Sequence, residues 1–257
     1  MEYDIIHLER HESTLVATIC RPDSLNALNS AFFDELEYLM DNEANDETLT
    51  ALLLIGCGRA FAAGADISEM VKKNQKEAVA LSQRGQRALA RLSNLPLVVV
   101  SLINGFALGG GLEITMACDF RIASDDAKFS LPEVSLGLIP GFAGTQRLPK
   151  LVGLANALYM ITTGDMISAE EALRIGLVQK IFPTEELMKE AFKICDIIAS
   201  RGPKAVKLAK SVIRQGYYMD LTEGCVLEAK AFSTLFENEG TEGMTAFLEK
   251  RKPGWQK

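Results

Sequence analysis

The stretch Asn104-Gly105-Phe106-Ala107-Leu108-Gly109-Gly110-Gly111-Leu112-Glu113 decides how the rest of the chain is organised. It follows an apolar run of strand character, Leu97 to Ile103, and leads into helical Ile114 to Cys118. Three successive glycines at a strand-to-helix turn leave backbone N–H groups bare at a helix N-terminus, a place suited to a developing negative charge. The same triplet could equally serve close packing of the helix. A Walker A loop is excluded, because Gly111 and Leu112 stand where Lys and Ser or Thr are required. A dinucleotide fingerprint is excluded by position, since it belongs near the first strand of a chain.

Outward from this turn, short apolar or β-branched runs alternate with longer amphipathic stretches, the pattern of repeated βα units. Strands are expected at Ile5 to Leu8, Leu15 to Ile19, Ala51 to Ile55, Leu97 to Ile103, Phe120 to Ala123 and Leu177 to Ile181. Asn29 is placed to cap a helix through Met40, and Gln75 to Leu92 has helical spacing. Ser168 and Glu171 form a capping-box pattern, with Gly176 as the stop. Beyond about Glu185 the strand signals vanish. Helices are expected at 186–200, 203–215, 221–237 and 241–250, with Pro203 suited to a first turn. The expected organisation is an α/β core over residues 1–195 and a helical region over 196–257 that covers the core or builds an oligomer contact.

A chain of 257 residues with 48% hydrophobic and 24% charged residues can bury a sizeable core and has no tract of disorder composition. The net charge of −7, with Lys and Arg scattered, argues against a nucleic-acid surface, although an anionic ligand can still be held locally. The five cysteines, Cys20, Cys57, Cys118, Cys195 and Cys225, contain no CxxC pair and are expected to be reduced and mostly buried. His7 and His11 are the only histidines, so no metal is expected. Met1 to Ile6 has no leader pattern, and no apolar run reaches about 18 residues, so a cytoplasmic protein is expected.

Two further segments bear on chemistry. Arg59-Ala60-Phe61-Ala62-Ala63-Gly64-Ala65-Asp66-Ile67 follows the strand at Ala51 to Ile55, a second small-residue turn in the same strand-then-turn position. Two such turns can each give one N–H to a single oxygen. Pro132-Glu133 comes next, and then Gly137 to Arg147. Glu133, bracketed by Leu131, Val134 and Leu136, is expected to be partly desolvated, with its pKa raised. Glu113, in the first turn of its helix, is expected to be favoured in its ionised form by the dipole. Two carboxylates in unlike environments can divide acid and base roles.

In order and spacing, the segments Phe61 to Met70, Asn104 to Glu113, Pro132-Glu133 and Ile139 to Leu148 resemble the enoyl-CoA hydratase/isomerase, or crotonase, superfamily. The resemblance implies a spiral of ββα units with a helical C-terminal region that builds a trimer or a hexamer of two trimers. It implies an acyl-CoA substrate, with coenzyme A part of that substrate and no separate cofactor. It also implies an oxyanion hole from the N–H groups of Ala65 and Gly110. The family's hydratases hold water between two glutamates, here Glu113 and Glu133, whereas sister isomerases usually keep one acid. Addition of water across a 2-enoyl double bond is therefore the expected reaction. Double-bond isomerisation, hydration of a cyclic or branched acyl group, and non-catalytic CoA or RNA binding are the alternatives. Gly141, expected at the start of the helix containing Thr145, matches a water-positioning site. Phe142, bulkier than the usual residue, is expected to shape the acyl pocket. CoA contacts are implied at Ser24, Leu25, Ala63, Asp66 and Ile67. Family members often carry Lys near Asp23 and Ser68; neither is basic here, leaving Lys72, Lys73, Lys250, Arg251 or Lys252 to meet the phosphates.

Overall fold

The computed structural model describes residues 3–256, so Met1 and Glu2, the start of the stretch without a leader pattern, lie outside it. The described residues form ten strands: β1 (Ile6–His11), β2 (Thr14–Ile19), β3 (Ala51–Gly56), β4 (Ala60–Ala62), β5 (Val98–Ile103), β6 (Phe106–Leu108), β7 (Phe120–Ser124), β8 (Lys128–Ser130), β9 (Ile167–Ser168) and β10 (Lys180–Phe182). They build one sheet in the order β1-β2-β3-β5-β7-β10 and a second in the order β4-β6-β8-β9. Among the described residues only β1–β2 and β8–β9 pair antiparallel.

The helices of the first half are α1 (Ser30–Asn42), α2 (Ile67–Met70), α3 (Gln75–Ser93), α4 (Gly110–Ala117), α5 (Gly144–Val152), α6 (Leu154–Thr163) and α7 (Ala169–Arg174). The C-terminal helices are α8 (Leu187–Ala199), α9 (Pro203–Gly216), α10 (Leu221–Thr234) and α11 (Glu239–Leu248). β3, β5 and β7 each run on into a short strand of the second sheet, and the chain then returns through helix. That repeated step is the spiral of ββα turns. Among the described residues no helix is long and apolar enough to cross a membrane.

Both faces of the first sheet are covered, which is why its strands read as nearly continuous apolar runs. Along β3, Leu52 and Leu54 face a core shared with Phe32, Phe33 and Leu36 of α1 and Leu89 and Leu92 of α3. Leu53 points the other way, with Val16, Val100, Leu102 and Ile122, onto Leu187, Ala191 and Cys195 of α8. Residue 195 thus falls within a helix that closes the sheet. Of the expected caps, Asn29 accepts the Phe32 N–H at 2.9 Å and Ser168 Oγ accepts the Glu171 N–H at 3.3 Å; a reciprocal box forms instead on α3, between Asn74 and Glu77.

α9 is tied to the core by charge. Lys210 and Arg214 meet Asp119 at 2.8 and 2.6 Å, and Asp119 also accepts the Val99 N–H at 2.7 Å. These contacts anchor the start of the helical region to the ends of β5 and β7.

The cysteine expectation needs correction. Cys118 and Cys195 are free and buried, but Cys225 is free and exposed, and Cys20 is joined to Cys57 in a disulfide. Parallel pairing of β2 and β3 sets Ile19 opposite Gly56, so the next residue on each strand is brought to its neighbour.

Candidate active site

The glycine triplet packs α4 closely and starts that helix at the turn. Gly109 has φ +49° at the N-terminus of α4, a left-handed conformation costly for other residues, and its N–H is fixed to the Ser130 carbonyl at 2.9 Å. At Gly111 a Cβ would lie 2.0 Å from the Ala62 carbonyl oxygen, so this glycine lets α4 press against β4. Gly110, between them, starts the helix.

The second turn lies alongside. A Cβ at Gly109 would come within 3.6 Å of the Gly64 Cα. Leu28 donates to the Gly64 carbonyl and accepts from Asp66 N–H, both at 2.8 Å, which turns the N–H of Ala65 away from Leu28. Among the described residues no protein acceptor takes the N–H of Ala65 or of Gly110.

Both glutamates reach this pair of turns. Glu113 is buried, and its Oε1 accepts N–H bonds from Phe142 at 2.8 Å and Gly144 at 2.6 Å. Burial pushes its carboxyl up to about 7; the charge of Glu133 adds to the rise, while the two N–H donors and Arg147 oppose it. The helix dipole does not prevail over burial, so the expectation of an ordinarily ionised Glu113 is corrected. Glu133 lies on a short 3-10 helix, Pro132–Leu136, with Oε1 only 2.9 Å from the Cβ position of Gly109. Its Oε2 is enclosed and has no hydrogen-bond partner among the described residues, and burial raises its pKa, as expected. The environment differs in one respect from expectation: Leu131 is buried, but Leu136 is exposed.

Phe142 meets the Glu113 carboxylate through its N–H, and Gly141 precedes it in the chain. The helix begins at Gly144, three residues after Gly141, whose carbonyl accepts from Ser82 Oγ at 2.6 Å and Gln86 Nε2 at 3.1 Å, both on α3. The buried Phe142 ring packs edge-to-face on Phe33, with centroids 5.3 Å apart, and a Cβ at Gly110 would come 3.1 Å from it. Phe142 is thus wedged beside the glycine turn.

The residues expected to contact CoA gather on one side. Ala63 N–H donates to the Leu25 carbonyl at 3.0 Å, and Leu25 has φ +51° at the end of the turn containing Ser24. Asp66 is held below the usual carboxylate range by the Ser68 hydroxyl and by Arg21, which it meets at 3.1 Å; Ile67 is half exposed. The buried Asn26 side chain knits this turn to the Cys57 and Ala60 carbonyls at 2.9 and 2.8 Å. Of the candidate cations, Arg251 is engaged with Glu242 and Glu249, while Lys72, Lys250 and Lys252 are exposed and Lys73 is partly covered.

Sequence reasoning gave no role to Arg147, Ser82, Gln86 or Asn26. For Arg147 a signal existed: a cation near the N-terminus of a helix opposes the dipole, so another interaction must hold it there. Its Nη1 donates to the Phe142 carbonyl at 3.1 Å.

The Enoyl-CoA hydratase/isomerase family profile matches residues 9–257. The chain is 46% identical over 254 residues to the short-chain-enoyl-CoA hydratase of Clostridium acetobutylicum, covering 98% of this chain and 97% of that one. It is 44% identical to the crotonyl-CoA hydratase of Syntrophomonas wolfei, covering 98% of each. Among solved structures, the enoyl-CoA hydratase of Bacillus anthracis superposes with a TM-score of 0.93 at 37% identity, over 96% of this chain and 97% of that one.

Proposed function

Because the chain belongs to the enoyl-CoA hydratase/isomerase family, we propose that it adds water across the 2,3-double bond of short 2-enoyl-CoA thioesters, giving 3-hydroxyacyl-CoA. The observation that carries this reading is the approach of two desolvated carboxylates to one glycine turn, Glu133 against Gly109 and Glu113 against the Phe142–Gly144 segment.

In the proposed reaction the thioester carbonyl oxygen takes the N–H groups of Ala65 and Gly110. Water attacks C3 while Glu113 removes one of its protons, and the electron pair of the double bond moves through C2 onto the thioester oxygen as an enolate. Glu133 then gives its proton to C2, and the enolate collapses to the carbonyl. Transfer of the water-derived proton from Glu113 back to Glu133, through solvent, restores the starting state. The environments favour this division of roles. Glu113 keeps two N–H donors that stabilise its charge and has a pKa near neutrality, which suits a base. An enclosed, unpartnered oxygen on Glu133 favours the neutral acid. Each oxyanion donor is worth ~10²-fold or more in rate.

The CoA moiety is assigned to the turn of Ser24 and Leu25 with Ala63, Asp66 and Ile67, and Lys72 and Lys73 come just after α2 in the chain. Water positioning is assigned to Gly141. Exposed Leu221, Phe232, Phe247 and Leu248 of the helical region are assigned to contacts between copies, in a trimer or a pair of trimers.

Crotonyl-CoA and a series of longer 2-enoyl thioesters test the reading through loss of the conjugated absorbance. Turnover fastest at short chain length is expected. No turnover across the series would sink it.

A further inference from the structure

Glu113 gets both of its hydrogen-bond donors from one short segment, the N–H groups of Phe142 and Gly144. That segment has little regular structure of its own: Ala143 stands at φ +79°, and the helix begins only at Gly144. Something outside it must fix its geometry. On one side α3 supplies neutral braces to the Gly141 carbonyl, Ser82 at 2.6 Å and Gln86 at 3.1 Å. On the other side the Phe142 carbonyl accepts from Arg147 Nη1 at 3.1 Å. Phe142 therefore presents its N–H to Glu113 and its carbonyl to a guanidinium.

We propose that Arg147 is a positioning residue for the hydration reaction, holding the Phe142–Gly144 segment by its carbonyl and keeping a half-buried positive charge close behind Glu113. Among the described residues Arg147 has no direct ion pair, so its charge is not consumed by a nearby carboxylate. Arg214, the neighbouring cation on α9, is committed to Asp119. The charged and titratable groups facing Glu113 are Glu133, which disfavours its ionisation, and Arg147, which favours it. Those facing Arg147 are Glu113, Tyr218, Arg214 and Cys118. Burial disfavours the guanidinium charge at this place, so the arrangement costs stability that a purely structural link to one carbonyl would not require.

This inference rests on the assignment of Glu113 as the base. The acid limb of kcat/KM reports the essential base of the free enzyme, so the pH profile of crotonyl-CoA hydration separates charge from bracing. In Arg147→Gln the limb is expected to rise by about one pH unit, the lower end of the effect of a nearby opposite charge. At neutral pH this corresponds to a loss of roughly fivefold as the ionised fraction of the base falls. Arg147→Lys keeps the charge and is expected to leave the limb near its wild-type place while lowering kcat. Ser82→Ala, which loosens the same segment without removing charge, is expected to leave the limb unmoved. Should Arg147→Gln not fold, Arg147→Met, which keeps the packing of the stem, is measured in its place. A limb unmoved in the neutral variants, or moved as far in Arg147→Lys or Ser82→Ala, overturns the inference. A wild-type protein that turns over no enoyl thioester overturns the hydratase reading instead.

Discussion

Glu113→Gln should cost the enzyme its activity and make the folded protein more stable at alkaline pH. The magnitude follows from burial. Glu113 has its pKa raised from 4.5 to about 7, so the fold holds the neutral acid more tightly than the unfolded chain does. For an acid with a raised pKa, the stabilising contribution is complete below the unfolded value. It is lost as pH climbs through the folded one. A shift of this size amounts to roughly 3 kcal/mol once both states are ionised, most of which develops between pH 5 and pH 8.5. Glutamine cannot ionise, and its amide oxygen can still accept the Phe142 and Gly144 N–H groups. Urea unfolding of both proteins at the two pH values gives a difference of differences from which pH-independent packing effects cancel. The variant should gain roughly 2 to 3 kcal/mol on the wild type between pH 5 and pH 8.5. A gap that stays constant with pH would show that burial does not tune this carboxylate.

Two other perturbations probe the frame around the site. Gly111→Ala places a methyl group 2.0 Å from the Ala62 carbonyl, so α4 must move away from β4. A loss of about 3 kcal/mol or more in urea unfolding, with a larger fall in kcat than in stability at working temperature, is expected; a variant as active and stable as wild type would contradict the packing. Reducing the Cys20–Cys57 disulfide, which spans 37 residues, should lower stability by about 4 kcal/mol on chain-entropy grounds. Unfolding with and without a phosphine reductant, against Cys20→Ser, measures it, and identical curves would refute the contribution.

The first sheet was legible in the sequence because burial on both faces makes runs such as Leu52-Leu53-Leu54 nearly continuous. Four strands of the second sheet were not. Ala60–Ala62, Phe106–Leu108 and Lys128–Ser130 are three residues long and Ile167–Ser168 two, too short to show a period. The strand expected at Leu177 to Ile181 forms only at Lys180–Phe182, since the N–H groups of Leu177 and Val178 are drawn back to the Ala172 carbonyl. α6 went unassigned because Gly153 interrupts its pattern, and the helix containing Thr145 starts at Gly144, not at Gly141.

At the site, the two carboxylates and the two turns were visible as residue types at a spacing. Their electrostatics were not, because helix position argues for an ionised Glu113 while desolvation depends on packing that a linear pattern does not contain. Arg147 and the α3 braces Ser82 and Gln86 were hidden for a similar reason. They act through backbone carbonyls five to 59 positions away, and main-chain contacts leave no mark on side-chain spacing. The Cys20–Cys57 pair likewise follows from β2–β3 register.

The division of labour between Glu113 and Glu133 is the centre of this account, and kcat/KM for crotonyl-CoA hydration by Glu113→Gln, Glu133→Gln and the double variant tests it most directly. Each single variant should lose about 10²- to 10⁴-fold, and the double variant should lose far less than the product, as expected for groups acting on one transition state. A Glu133→Gln enzyme as fast as wild type, or losses that multiply, would contradict it.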